Sequence, residues 1–399
     1  MLNPTRDLLI DAHPTPSRFE RRAQPLLAKA DIRLNGTRPW DMKIHHPQTL
    51  ERVFLAGSLG LGESYMDGWW DCDQLDGFFE RVLRHGLDRH VQSVNPLVHF
   101  IKSHWVNAQT TRRAWTVGRE HYDLDQELFQ HMLDPYLCYS CGYWEHADSL
   151  EQAQEAKLAL ICQKLQLQPG MTLLDIGCGW GSLMRYAATH YQVRCVGLTI
   201  SREQASAGAL LDRQLPIRYE LTDYRAFNLE GQQQFDRVAS VGMFEHVGLH
   251  NHPDYFATAL RSLKPDGLFL LHTIGKNHSN TPIDPWIEKY VFPNGELPSL
   301  QELTRSTEPH WVIEDVHNFG ADYDRTLMAW HARFEQAWPQ LRARHSERFY
   351  RMWTYYLLSC AGTFRARSNQ LWQLVLSPQG VHGGYRRPTT SCSICNNPQ

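Results

Sequence analysis

No apolar run in this 399-residue chain approaches the roughly 20 residues that a bilayer-spanning helix needs. The N-terminal stretch MLNPTRDLLIDAHPTPSRFERR has no continuous apolar core and no small-residue cleavage site, so no secretory leader is expected. Charge of one sign is missing too. The 40 Lys and Arg face 43 Asp and Glu, a net charge of −3, which offers no global field to nucleic acid. The 21 His contain no HExxH, and neither a G-x-S-x-G elbow nor a Walker sequence occurs. The two CxxC pairs, Cys138/Cys141 and Cys392/Cys395, lie too far apart to suggest a zinc site, and no metal is expected. Nine cysteines, an odd number scattered along the chain, fit reduced thiols in a cytoplasm.

Large aromatics are abundant, with 13 Trp, 16 Phe and 16 Tyr. Such side chains fill cores, but they also line apolar clefts and lipid interfaces. The length predicts two domains. Residues 1–18 read as a loose segment and 19–106 as a smaller, mainly helical domain. Its apolar residues recur at helical spacing (Leu50, Val53, Phe54; Phe78, Phe79, Val82, Leu83), broken by the glycine-rich GSLGLGESYMDGWW at 57–70. Within it, Trp69, Trp70, Phe78 and Phe79 beside Arg81 and Arg84 read either as an apolar entrance near a lipid surface or as a helical core under a glycine turn. A linker is expected at 107–113, then an α/β domain at 114–377 that alternates strand-like and helix-like segments. A flexible tail follows at 378–399.

The strongest local signal is MTLLDIGCGWGSLMRYAATHY, beginning at Met171. Residues 171–176 read as a buried strand, Gly177, Cys178, Gly179, Trp180 and Gly181 as a tight loop, and 182–189 as a helix. The glycines let the backbone turn sharply and let a ligand approach the main chain. Such loops also bind dinucleotides. Here the spacing is G-x-G-x-G, with Asp175 just ahead of it. A carboxylate at that place would repel a pyrophosphate, so the segment suits an adenosyl amino acid, S-adenosylmethionine, better than NAD. The next predicted strand, 193–198, leads to Thr199 and Gln204, whose hydroxyl and amide can bond ribose. A third, 217–221, leads to Tyr224 and Arg225, placed to flank an adenine.

Two further predicted strands run into polar groups: 235–248 into Glu245 and 263–275 into His272. Ligands of open α/β sheets bind beyond the carboxyl ends of the strands, so both groups are expected to face the crevice of the glycine loop. Cys360, in the apolar YYLLSCAGTF, reads as a core thiol.

These stretches carry a resemblance. The chain is similar to the bacterial cyclopropane-fatty-acyl-phospholipid synthases over nearly everything from Phe19 to Val375. The similarity runs through GSLGLGESYMDGWW, EHYDL (120–124), LDPYLCYSCGYW (133–144), LLDIGCGWG (173–181), VGMFEHVG (241–248), LLHTIG (270–275), DPWIEKYVFPNGELPS (284–299), NFGADYDRTLMAW (318–330) and TYYLLSCAGTFRAR (354–367). Mycolic acid cyclopropane synthases share the catalytic part but lack an extension like 1–106. Gly142 stands where relatives usually have Ala, and DLDQELF (123–129) lacks an Asn common there.

The resemblance implies a class I S-adenosylmethionine-dependent methyltransferase fold, a Rossmann-like, mostly parallel sheet. It implies methyl transfer to a cis double bond in an acyl chain of a membrane phospholipid, loss of a proton, and closure of a cyclopropane ring. Bound bicarbonate is the implied base, carried over to Cys141, Glu245, His272, the backbone at Ile274, and Tyr323, with Glu245 protonated or accepting from the bicarbonate OH. For the cofactor the carry-over gives Tyr139, Ser140, Gly177 to Gly181, Thr199 to Gln204, Tyr224 and Arg225. Cys360 matches a position counted in the family as an active-site cysteine. Tyr139, Tyr143, Trp144 and Tyr323 are candidate lining for a carbocation. The implied setting is cytoplasmic, with peripheral contact to the inner face of the membrane and a homodimer. Other readings stay open: a methyltransferase of the same fold with another lipid or small-molecule acceptor, or a lipid-binding protein with a degenerate cofactor site.

Overall fold

The computed structural model describes residues 17–90, 126–227 and 234–388. The expected linker 107–113, nearly all of the loose segment, the EHYDL stretch and the Cys392/Cys395 pair lie outside the described residues.

The first unit opens with helix α1 (Arg18–Lys29), entered through a capping box in which Ser17 and Glu20 each accept from the other's backbone N–H. A two-strand ribbon, β1 (Lys43–Ile44) and β2 (Trp70–Asp71), encloses α2 (Thr49–Met66), and α3 (Leu75–Arg84) follows. The glycine-rich stretch expected to break the helices is itself helical to Met66. Only Gly57 leaves helical dihedrals (φ 61°, ψ −137°), kinking α2. The later glycines serve close approach instead: a Cβ on Gly62 would lie 2.3 Å from the Trp286 ring. Trp70 and Phe78 are core residues, fully enclosed, which removes them from any lipid-facing entrance. Trp69 is half-buried, stacked on His46 with the Arg52 guanidinium over its ring.

The second unit carries α4 (Gln126–Met132), α5 (Leu150–Lys164) and then the alternating elements β3 (Thr172–Ile176), α6 (Ser182–Tyr191), β4 (Arg194–Thr199), α7 (Arg202–Leu211), β5 (Ile217–Leu221), β6 (Phe235–Val241), α8 (His252–Ser262) and β7 (Leu263–Lys276). After it come α9 (Pro285–Tyr290), α10 (Leu300–Thr307), β8 (Val312–Asn318), α11 (Ala321–Leu341), α12 (Glu347–Arg365) and β9 (Asn369–Ser377). The sheet order is β5-β4-β3-β6-β7-β9-β8, with only β9 antiparallel to its neighbours. Strands such as β3 are buried on both faces because helices cover both. The order reverses between β3 and β6, and there the chains leave the sheet in opposite directions and open a crevice.

One apolar cluster runs through both units, joining Trp70, Leu75 and Phe78 to Trp286, Trp353 and Tyr355. The described part of the tail, to residue 388, makes contacts with the α/β unit. Tyr385 donates to the Lys164 carbonyl and Arg387 pairs with Asp315.

Candidate active site

A cavity of about 1640 Å³ opens at the switch point, larger than the ~300–1,000 Å³ that holds one drug-sized ligand. One end is the glycine loop. Gly177, Gly179 and Gly181 all have positive φ (85°, 54°, 82°). The amides of Gly177 and Cys178 both donate to the Leu198 carbonyl, pinning the loop against β4. Around Gly179 nothing lies within 4 Å of a would-be Cβ, so its backbone is bare to the cavity. Gly181 is absent from the lining. A Cβ there would fall 1.7 Å from the Tyr219 hydroxyl, and its glycine serves packing rather than ligand approach.

The other expected cofactor residues, Tyr139, Ser140, Asp175, Thr199, Gln204, Tyr224 and Arg225, all line this cavity. Thr199 Oγ1 accepts from the Ser201 amide and lies 3.3 Å from Gln204 Oε1. Arg225 is held by both oxygens of Asp223 and places its guanidinium over the Tyr224 ring. Asp175 is buried with Oδ1 unpartnered, and burial raises its carboxyl to about 7 against the opposing pull of Lys157. The Tyr224 hydroxyl is likewise buried without a partner. Unpartnered acceptors beside a bare glycine backbone fit a ligand that brings its own ammonium and hydroxyl donors, as S-adenosylmethionine does.

Sequence reasoning passed over Lys157 and Gln154. Lys157 is buried and donates to Ser140 Oγ at 3.0 Å, and Gln154 donates to the Ser140 carbonyl at 2.8 Å. The signal was there. Both stand on the apolar stripe of α5 with Leu150, Ala153, Leu158 and Ile161, where a lone Gln and Lys need partners.

Beyond the loop, part of the lining is apolar and aromatic. Tyr355, Tyr356, Cys360 and Phe364 reach it from α12, Tyr323 from α11, and Phe292 from the segment after α9. Glu245 follows β6 in a short 3-10 turn; its Oε1 accepts from the Ile274 amide at 2.6 Å, while Oε2 has no partner. Burial raises this carboxyl to about 7. The turn is clamped by Glu296, whose amide donates to the Glu245 carbonyl and whose Oε2 accepts from Leu249. Tyr323 is pushed up by burial and stays a neutral phenol. Cys360 is pushed up to about 12 by burial, so its thiol is not ionised.

Glu245, Ile274, Tyr323 and Cys360 therefore share the cavity, but Cys141 and His272 lie behind its wall. His272 does not end its strand. β7 continues to Lys276, and His272 pairs in register with Val241, the last residue of β6. It is buried against Phe319 and neutral, with Nδ1 facing the Gln373 amide at 3.1 Å and Nε2 unpartnered. Cys141 is fully buried, its thiol 3.1 Å from the Gly142 carbonyl. Tyr143 and Trp144 do not line the cavity either. Tyr143 packs on His317 and Phe319, and Trp144 donates to Thr326 Oγ1.

A family model described as mycolic acid cyclopropane synthetase matches residues 109–374. The chain is 54% identical over 373 residues to the cyclopropane-fatty-acyl-phospholipid synthase of Escherichia coli K12, covering 92% of this chain and 95% of that one. It is 38% identical over 264 residues to the cyclopropane mycolic acid synthase MmaA2 of Mycobacterium tuberculosis, covering 61% of this chain and 91% of the relative. Among solved structures, MmaA2 aligns with a TM-score of 0.62 at 35% identity, over 66% of this chain and 97% of its own. Mycolic acid cyclopropane synthase CmaA1, complexed with SAH and CTAB, gives 0.61 at 34%, with the same coverage. Coclaurine N-methyltransferase, at 21% identity and a TM-score of 0.67, shares the fold.

Proposed function

The chain belongs to the cyclopropane synthase family, and from that premise we propose that it converts cis-unsaturated acyl chains of membrane phospholipids into cyclopropane acyl chains. It is an S-adenosylmethionine-dependent enzyme of the methyltransferase fold. The observation that carries the proposal is the joining, in one cavity, of a bare glycine loop with a region of aromatic lining that holds Glu245.

The cofactor would supply an electrophilic methyl group and leave as S-adenosylhomocysteine as its S–CH₃ bond breaks; the alkene π pair forms the new C–C bond, and loss of one methyl proton to a base lets the C–H pair close the ring. An alkene offers no proton for a base to remove first, so the protein's task is to orient and desolvate. Ser140, held by Lys157 and Gln154, and the loop at 177–179 fix one reactant. The apolar lining receives the other. Drawing an acyl chain out of a bilayer costs about 0.8 kcal/mol per CH₂, which lining of equal apolarity offsets. Tyr323, Tyr356 and Phe364 line the cavity, where aromatic rings would stabilise the positive charge that develops on the substrate.

The unpartnered Glu245 Oε2 supports bicarbonate as a small oxyanion held in the cavity beside Glu245, Tyr323 and Ile274, whereas Cys141 and His272 stand behind the wall and do not reach it there. Bicarbonate would supply the base for the methyl proton. With its carboxyl raised to about 7, Glu245 can stay protonated beside an anion. Peripheral contact with the inner membrane face and a homodimer complete the proposal; no described helix is long and apolar enough to cross a bilayer.

The test is incubation with S-adenosylmethionine, bicarbonate and vesicles of cis-monounsaturated phospholipid. Acyl chains that gain one CH₂ and lose the alkene support it, and methyl transfer to a headgroup overturns it.

A further inference from the structure

The apolar chamber has a wall that the family's shared catalytic region does not supply. Val53, Leu61, Phe79, Val82 and Leu83 line the cavity, and all precede residue 109, where the family match begins. They come from α2 and α3. Beside them, Tyr355, Cys360 and Phe364 of α12 line the same cavity.

This wall is held at a fixed distance. A Cβ on Gly362 of α12 would lie 2.4 Å from the Asp76 carbonyl and 2.7 Å from Phe79 Cβ, so α3 and α12 touch at backbone distance. Arg365 forks from Asp76 to Asp324 across the same contact. The Phe79 ring stands edge-on to Tyr355, with centroids 5.3 Å apart at 89°. On α2, Gly62 admits the Trp286 ring, whose Nε1 donates to Met66 Sδ, tying this helix to α9. Interiors packed this closely do not yield to a longer ligand.

We propose that α2 and α3 form one wall of the acyl channel, and that Phe79, Val82 and Leu83 determine which acyl chains react, by fixing how much chain fits when the double bond reaches Glu245. The inference rests on the reading of the protein as an acyl-chain cyclopropane synthase. A rigid apolar wall discriminates by roughly 10- to 200-fold for one methylene, so a change of one side chain here should be readable as a change of substrate ratio.

The experiment is an internal competition. The full-length protein is given mixed vesicles of phospholipids whose cis double bonds lie at different distances from the ester, and product ratios are read by mass spectrometry. Ratios are insensitive to the fraction of enzyme that folds. Val82→Phe and Leu83→Phe add bulk to the wall and should shift the ratio at least tenfold toward chains with less length to accommodate. Phe79→Ala removes bulk and should shift it the opposite way. The KM for S-adenosylmethionine should be unchanged in all three. Ratios equal to wild type, or one uniform slowing of every substrate, overturn the wall proposal. A wild-type protein that makes no cyclopropane from any chain overturns the underlying reading instead.

Discussion

Replacing Glu245 by Gln should make the protein more stable and inactive, and the gain in stability should grow with pH. The carboxyl is enclosed and accepts one backbone hydrogen bond, and burial raises it from the ordinary 4.5 to about 7. For an acid raised in the folded state, the native protein binds the proton more tightly than the unfolded chain. Its contribution is fully present below pH 4.5 and is lost as pH rises through 7. At about 1.4 kcal/mol per pH unit, the loss above pH 7 amounts to about 3 kcal/mol. Gln mimics the protonated acid in shape and never ionises, so it escapes that loss. The stability difference between Glu245→Gln and wild type should therefore widen by about 2–3 kcal/mol from pH 5 to pH 8.5. With an unfolding entropy near 2.1 cal/mol/K per residue, this corresponds to roughly 3 °C in Tm. Asp175, also raised to about 7, titrates in both proteins and cancels in the comparison. Thermal unfolding at the two pH values is the assay, alongside binding of S-adenosylmethionine, which should be unaltered, and turnover, which should fall at least a hundredfold. A Tm difference that is the same at pH 5 and pH 8.5 would refute the claim that this carboxylate is held desolvated.

Three further outcomes are expected. Lys157→Met should weaken S-adenosylmethionine binding about tenfold at pH 6.5 and less at pH 8.5, because Asp175 loses the cation that opposes its protonation; calorimetric titration at both pH values checks this. Gly62→Ala should destabilise by about 1–3 kcal/mol, since its Cβ would overlap a rigid, fully buried Trp286 ring; denaturant unfolding reads it, and an unchanged midpoint contradicts the packing of α2 on α9. Cys360→Ser should keep turnover within about twofold, because a thiol pushed up to about 12 is no nucleophile at neutral pH; loss of turnover with cofactor affinity intact would restore it as a reacting group.

The strands at the cofactor end were legible because buried parallel strands are written as continuous apolar runs and their loop as spaced glycines. Residues 217–221 were located to the residue, and β3 within one. Glycine was ambiguous in α2, where it marks close approach to Trp286 rather than a turn, and periodicity cannot separate those uses. His272 was misplaced at a strand end because β7 runs on to Lys276, its extra length stabilised by the antiparallel β9 pairing at Lys276 and Asn369, a partner distant in sequence. Tyr143 and Trp144 share a motif with Tyr139, yet the backbone carries them past the cavity into the core around Thr326 and Phe319. Which of several neighbouring aromatics faces a ligand is a tertiary fact.

The most direct test of the central claim uses S-adenosylmethionine carrying a trideuterated methyl group, with vesicles of cis-monounsaturated phospholipid and bicarbonate. The account predicts acyl chains that retain two of the three deuterium atoms and lack the alkene, because one methyl hydrogen must leave before the ring can close. Acyl chains retaining all three deuterium atoms would show methyl branching without ring closure and would contradict it.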